Sequence, residues 1–274
     1  MNMIKKITRC IVVAPLFLIV ILPQSLMANS LSSQWVMDRY SKSRLFVGGY
    51  DRDRKILHLG WQVSLQDGWK TYWRSPGEAG LPPRWAWNKA ENINNIAVKW
   101  PLPKLMQLFD MDTYVYYHEV ILPIEVTVKD ENTPVSLALG LDYMICSDIC
   151  VPQHANYKLT VASPKNMKIS IFQQAQLDSF RDLVPLEIDS KDTKLTLGPE
   201  NTLLIQLPNS LANVKNIIVE GPKTMLFGQA SLKDNGLFAV SYNGPETLKG
   251  KTLTLTIVPK EGRASEIKAT VQAR

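Results

Sequence analysis

Cysteine is scarce in this chain. Three occur in 274 residues, and Cys10 falls within an N-terminal targeting segment, so the mature protein keeps Cys146 and Cys150 alone. One pair is too few for a disulfide scaffold, and the roughly 246 residues after the leader bury core enough without staples. Histidine is equally scarce, at three residues. A zinc site wants four firm ligands and finds little to draw on. Beyond the leader no segment supplies the about 20 apolar residues that a membrane-spanning helix needs, so no stable membrane insertion is expected. Runs of Lys or Arg that would track phosphates are missing as well, which speaks against nucleic acid as a partner. Internal repeats and low-complexity stretches are also absent.

The leader is what sets the compartment. Lys5, Lys6 and Arg9 form a basic n-region, residues 11–22 (IVVAPLFLIVIL) an apolar h-region, and Leu26-Met27-Ala28 a small-residue cleavage site. Twelve apolar residues are too short to span a bilayer. Cys10 precedes the h-region and is therefore no lipoprotein acceptor. A cleaved secretory signal over residues 1–28 is expected. Its removal takes away three basic side chains and no acidic ones, and the net charge falls from +6 to +3.

Most of the remaining chain has the period of strands. In residues 55–65 (KILHLGWQVSL), Leu57, Leu59, Trp61, Val63 and Leu65 alternate with Ile56, His58, Gly60, Gln62 and Ser64, the mark of a half-buried strand. By parity His58 belongs to the polar face, as a surface residue. Residues 120–128, 134–145 and 156–162 read as further strands, and residues 75–83 (SPGEAGLPP) as an irregular loop. Near residue 163 the character changes: Ile169, Phe172, Ala175, Phe180 and Leu183 stand near helical spacing. After Pro185 short strand-like runs at 194–197, 202–207, 215–219, 236–242 and 251–258 are separated by Gly, Pro and Asn turns. The fold class expected is all-β. A first domain spans residues 29–163, a linker with a short helix spans 164–185, and a second, smaller β-sandwich spans 186–274.

The cysteine pair can be read as geometry. Along 135–145, Val135, Leu137, Leu139, Leu141, Tyr143 and Ile145 hold one face, so Cys146 falls on the opposite, less apolar face, placed as a reactive group rather than a core residue. Four residues of extended strand cover roughly 13 Å, beyond the about 4.4–6.8 Å between Cα atoms that a disulfide needs. A helix does not bring the Cβ atoms close enough either, and Pro152 disfavours helix at Val151. A chain reversal over Ser147-Asp148-Ile149 remains, with the cysteines facing each other at a hairpin tip. Spacing alone leaves three readings open. One is a structural disulfide, which in so short a loop gains only about 2 kcal/mol. Another is a Cu(I) clip drawing on Met144, His118 or His154. The third is a dithiol switch, in which His154 raises the local positive potential and favours thiolate.

Several longer blocks carry a resemblance. The run from Gly68 to Pro83 (GWKTYWRSPGEAGLPP), Trp100-Pro101-Leu102-Pro103, Val120-Ile121-Leu122-Pro123 and the Cys146–Pro152 block resemble, in order, the N-terminal periplasmic domain of DsbD-type thiol:disulfide interchange reductases. The nearest likeness is to the ScsB-like branch, whose cysteine motif ends in Val-Pro. The likeness covers about residues 40–162. It implies an immunoglobulin-like sandwich whose cysteine pair takes electrons from a membrane-embedded thiol reductase and passes them to periplasmic thioredoxin-fold oxidoreductases, without a cofactor. Cys146 and Cys150 would be the redox pair, Phe109 the aromatic of a cap loop, and Tyr72 an active-site tyrosine. This chain lacks the membrane spans and thioredoxin-like domain of the full-length reductases, so a separate membrane donor is expected. It also lacks the longer, Gly-containing cysteine spacing of the best-known branch, so partner identity does not transfer.

The expectation is thus a monomeric, periplasmic thiol–disulfide relay protein, a protein-disulfide reductase component. Two alternatives from other classes stand beside it: a periplasmic copper(I)-binding protein using the same sulfurs, and a non-redox interaction module with a structural disulfide.

Overall fold

The computed structural model describes residues 31–108, 111–189, 191–211 and 213–272; the expected leader and Phe109 lie outside the described residues. In chain order the strands of the first half are β1 (Val36–Met37), β2 (Ser41–Asp51), β3 (Ile56–Leu65), β4 (Lys70–Gly77), β5 (Arg84–Glu91), β6 (Ile93–Val98), β7 (Lys104–Leu108), β8 (Met111–Tyr117), β9 (Glu119–Val128), β10 (Val135–Cys146) and β11 (Cys150–Val161). They form two sheets. One has the order β1-β2-β3-β9-β6; the other runs β11-β10-β4-β8-β7, with β5 also paired to β10. The odd residues of β3 and β10 meet between them, and Leu57, Leu59, Trp61, Leu139, Leu141 and Ile145 share one core. Within it the Trp61 indole N–H donates to the Tyr157 hydroxyl at 2.9 Å, and that hydroxyl bonds Ser43 Oγ at 2.7 Å. The buried Trp61 indole and Tyr157 hydroxyl are thereby satisfied.

A short 3-10 turn (Pro164–Asn166) and α1 (Ile171–Arg181) follow. Ser170 caps the helix by accepting from the Gln173 backbone N–H. Leu177, not Phe172 or Leu183, is the buried anchor. It packs with Phe46 and Ile121 on the outer face of the β2-β3-β9 sheet. The close approach depends on Gly48, where a Cβ would stand 2.5 Å from Leu177 Cδ2. One expectation fails here. His58 keeps the polar parity of β3, but α1 and the segment after it cover that end of the sheet, and the imidazole is buried rather than on the surface. Burial, reinforced by Arg181, lowers its pKa.

The C-terminal half adds β12 (Leu186–Glu187), β13 (Lys194–Leu197), β14 (Thr202–Gln206), β15 (Val214–Glu220), β16 (Leu226–Phe227), β17 (Ser231–Leu232), β18 (Phe238–Asn243), β19 (Thr252–Pro259) and β20 (Ser265–Thr270). Their sheets, β12-β20-β19-β15 and β13-β14-β18-β16, with β17 on β18, enclose a second core around Leu203, Ile205, Ile217, Val240, Leu255 and Ile267. The fold is all-β, as the alternation predicts. Among the described residues no helix is long and apolar enough to cross a membrane.

Candidate functional site

The β10–β11 ladder runs unbroken from Val135↔Val161 to Cys146↔Cys150. Residues 147–149 close it, and the Ser147 N–H donates to the Ile149 carbonyl at 3.0 Å. The reversal expected from distance and from Pro152 is therefore present. The two cysteines face each other with Cα atoms 4.1 Å apart and are joined by a disulfide. The strand read as 156–162 begins six residues earlier, at Cys150, because the hairpin pairs from its tip.

Parity places Cys146 on the face of β10 opposite the main core, but that face is covered at this end. Tyr72, Val115 and the half-buried Met106, Tyr117 and Met144 enclose the sulfur, and Cys146 is 1% exposed. The expectation of an open reactive cysteine needs correction: alternation reports which sheet face a residue takes, not what else packs on that face. Cys150, its partner across the ladder, is exposed. The tip residue Ile149 is 60% exposed.

Strand β4 supplies the polar contacts. Only its first residues pair with β10, Lys70 opposite Cys146 and Thr71 opposite Ile145, and Thr71 Oγ1 donates to the Met144 carbonyl at 2.9 Å. Tyr72, two residues on, points to the same face as Lys70. Its hydroxyl donates to Cys146 Sγ at 2.9 Å and lies 3.8 Å from Cys150 Sγ. Burial, with Tyr117 nearby, pushes the phenol pKa up, so Tyr72 keeps its proton as a donor. Gly80, from the loop after β4, lies against the Tyr72 ring.

The hydrogen bond gives a first prediction. Tyr72→Phe should slow reduction of the disulfide by dithiothreitol about tenfold, because a hydrogen bond to a departing thiolate is worth about 1.5 kcal/mol. Thermal stability should change little, since the ring remains. An unchanged reduction rate would remove Tyr72 from the chemistry.

The remaining sequence-selected residues are distributed unequally. Phe109 falls between β7 and β8, paired through Leu108↔Met111, and itself lies outside the described residues. The hairpin that carries it contributes Met106 and Val115 to the cover over Cys146. His154 is not brought to the sulfurs. It shares the exposed face of β11 with Cys150, four residues and about 13 Å along the strand, and its Nδ1 is 2.5 Å from Asp142 Oδ1. There it borders a pocket of about 370 Å³ lined by Leu81, Pro82, Met144 and Pro152. His118 pairs with Asp67 at 3.5 Å. Among the described residues no three His, Cys, Asp or Glu side chains are grouped as a metal site would need.

Sequence reasoning missed Lys70. Lys70 is buried at the start of β4, and its ammonium donates to the Ser147 carbonyl, in the cysteine loop, at 3.3 Å. Burial lowers its pKa, and Asp148 opposes that effect. The signal was available: Lys70 has the strand parity of Tyr72. The loop read over 75–83 is also shorter, since β4 continues to Gly77.

Known proteins share parts of this arrangement. The chain has no match among curated proteins. It is similar in structure to the N-terminal periplasmic domain of ScsB from Proteus mirabilis, with a TM-score of 0.71 and 21% identity, covering 89% of this chain and 100% of that one. A weaker likeness, TM-score 0.27 and 14% identity, links 44% of this chain to 84% of the reduced N-terminal domain of DsbD from Neisseria meningitidis. The family model for the N-terminal region of the thiol:disulfide interchange protein DsbD matches residues 44–162. Those residues hold most of β2, all of β3 to β11, the cysteine hairpin and Tyr72. Over residues 44–162 the chain is thus similar to the N-terminal region of DsbD, and the matched region includes the disulfide at the hairpin tip.

Proposed function

We propose that this chain is a periplasmic thiol–disulfide relay protein, exported by a leader cleaved near Ala28. It takes electrons from a membrane-embedded thiol reductase and passes them to periplasmic thioredoxin-fold proteins, acting as a monomer without a cofactor. The observation that carries this reading is the asymmetry of the pair: Cys150 is exposed, while Cys146 is buried under a hydroxyl donor. In the loading step a donor thiolate attacks Cys150 Sγ. A mixed disulfide forms, the Cys146–Cys150 bond breaks, and Cys146 leaves as thiolate. The donor's second thiolate then attacks its own sulfur in the mixed disulfide and releases Cys150, so the donor is oxidised and the pair reduced by two electrons. Unloading runs the same way: Cys150 attacks the acceptor's disulfide and Cys146 resolves the intermediate. Phe109 would serve as the cap aromatic and Tyr72 as the donor to Cys146, while His154 would line the neighbouring pocket. The division at 29–163, 164–185 and 186–274 belongs to the same proposal.

Redox titration of the folded protein against dithiothreitol tests the reading. The bond should open and close with the fold intact; a bond that opens only on unfolding would sink the relay. Cys146→Ser should accumulate a mixed disulfide between exposed Cys150 and a periplasmic thioredoxin-fold protein. Failure of both this variant and Cys150→Ser to capture any such protein would count against it.

A further inference from the structure

The structure assigns a charge to the redox site: we propose that the Lys70 ammonium is the built-in counter-ion of the Cys146 thiolate. It would make Cys146 the leaving sulfur and fix Cys150 as the one that exchanges with partners. The inference rests on the relay reading for its biological use, but its physical content is separate.

Three observations carry it. First, Lys70 and Cys146 are directly opposed in the antiparallel ladder. Residues so placed project to the same face, with Cβ atoms about 4.5–5.5 Å apart. Second, Lys70 is 8% exposed, and among the described residues it forms no salt bridge. Its ammonium is held by a carbonyl, that of Ser147, the residue next to Cys146. A buried lysine without a salt-bridge partner is costly, and such groups concentrate at functional sites. Third, the anion that acts on Lys70 in the oxidised state is the exposed Asp148, which forms no salt bridge with it. Opening the disulfide creates a thiolate on the opposing residue, inside an apolar cover of Val115, Met106 and Met144. Without a cation that cover would favour the neutral thiol and make Cys146 a poor leaving group.

The other titratable groups facing the sulfur do not supply the charge. Tyr72 on β4 donates a neutral hydrogen bond, and Tyr117 on β8 is a neutral phenol whose pKa is raised by burial. Asp148 in the loop is an anion that acts on Lys70, and Cys150 is exposed. Lys70 is the cation of this set. As it does not contact sulfur in the oxidised form, it is a positioning residue that acts through charge and through the loop carbonyl.

The test uses thiolate absorbance of the reduced Cys150→Ser protein, followed against pH. Cys146 should titrate at least one unit below the free-thiol value of about 8.5. Lys70→Met should raise that pKa by about one unit, a tenfold change in proton affinity, and Lys70→Arg should keep it low. A second measurement keeps both cysteines, in case the double variant does not fold. At a pH above both thiol pKa values, Lys70→Met should shift the equilibrium with dithiothreitol about tenfold toward the disulfide. It should lower the melting temperature of the reduced form but not of the oxidised form. A purely structural lysine would lower both. An unchanged Cys146 pKa in Lys70→Met, or an Arg variant behaving as the Met one, overturns the inference even if a partner is captured through Cys150. A low, Lys70-dependent pKa with no partner captured overturns the relay reading instead.

Discussion

Arg74→Met is expected to destabilise the folded chain by about 3 kcal/mol in urea denaturation, the cost of leaving buried carboxylates without their cation. Arg74 follows Tyr72 by two residues on β4. Its Nε and Nη2 donate to both Glu220 carboxylate oxygens, at 2.8 and 2.6 Å, and Nη2 also donates to Glu266. The side chains are 26%, 14% and 12% exposed. Burial works against the guanidinium charge, yet the bonds and charges of the two glutamates hold its pKa above the ordinary arginine value. Burial raises the Glu220 pKa even with Arg74 opposing it. Without Arg74 the Glu220 carboxylate would titrate still higher in the folded state than in the unfolded chain. The deficit of Arg74→Met is then full above the carboxylate range and shrinks as pH falls through it, because the protonated acids need no cation. Arg74→Met combined with Glu220→Gln and Glu266→Gln should recover most of the loss. A loss below about 1 kcal/mol in the single variant would mean that the triad behaves as an exposed one.

Gly80→Ala is the second large effect, at about 3 kcal/mol. Gly80 has φ +93°, where an L side chain costs about 1 kcal/mol, and its Cβ would stand 2.1–2.5 Å from three Tyr72 ring atoms. Overpacking of that kind costs about 1–3 kcal/mol. The ring has to move, and its hydroxyl leaves Cys146, so dithiothreitol reduction should slow as it does in Tyr72→Phe. The two contributions separate in a double-mutant cycle. In a Tyr72→Ala background the clash is gone, and only the backbone part of about 1 kcal/mol should remain. Equal losses in both backgrounds would show that the ring and Gly80 are not coupled.

The pair and its reversal were legible in the sequence because they depend on local quantities: the length of chain between sulfurs, the restriction before Pro152, and an alternation that runs through β10. Tyr72 was legible through resemblance. Lys70 was passed over because a lysine beginning a strand looks like a solvated charge until the strand's partner is known. His58 misled for a related reason. Its parity was read correctly, but the helix that covers it lies more than 100 residues further along the chain.

By itself the sequence determined the all-β class, the hairpin tip that brings Cys146 and Cys150 together, and the sheet face each residue of β3 and β10 takes. All of these follow from a two-residue period and short-range chain geometry. Only the tertiary structure decided what covers each face. β4 pairs with the last two residues of β10, β8 and Gly80 close over Tyr72, and Arg74 reaches Glu220 and Glu266 in the second core's sheet. The Tyr72–Cys146 and Arg74–Glu266 contacts join residues 74 and 192 positions apart. Exposure, pKa and the choice between two otherwise similar sulfurs are properties of packing across those separations, which no local period encodes.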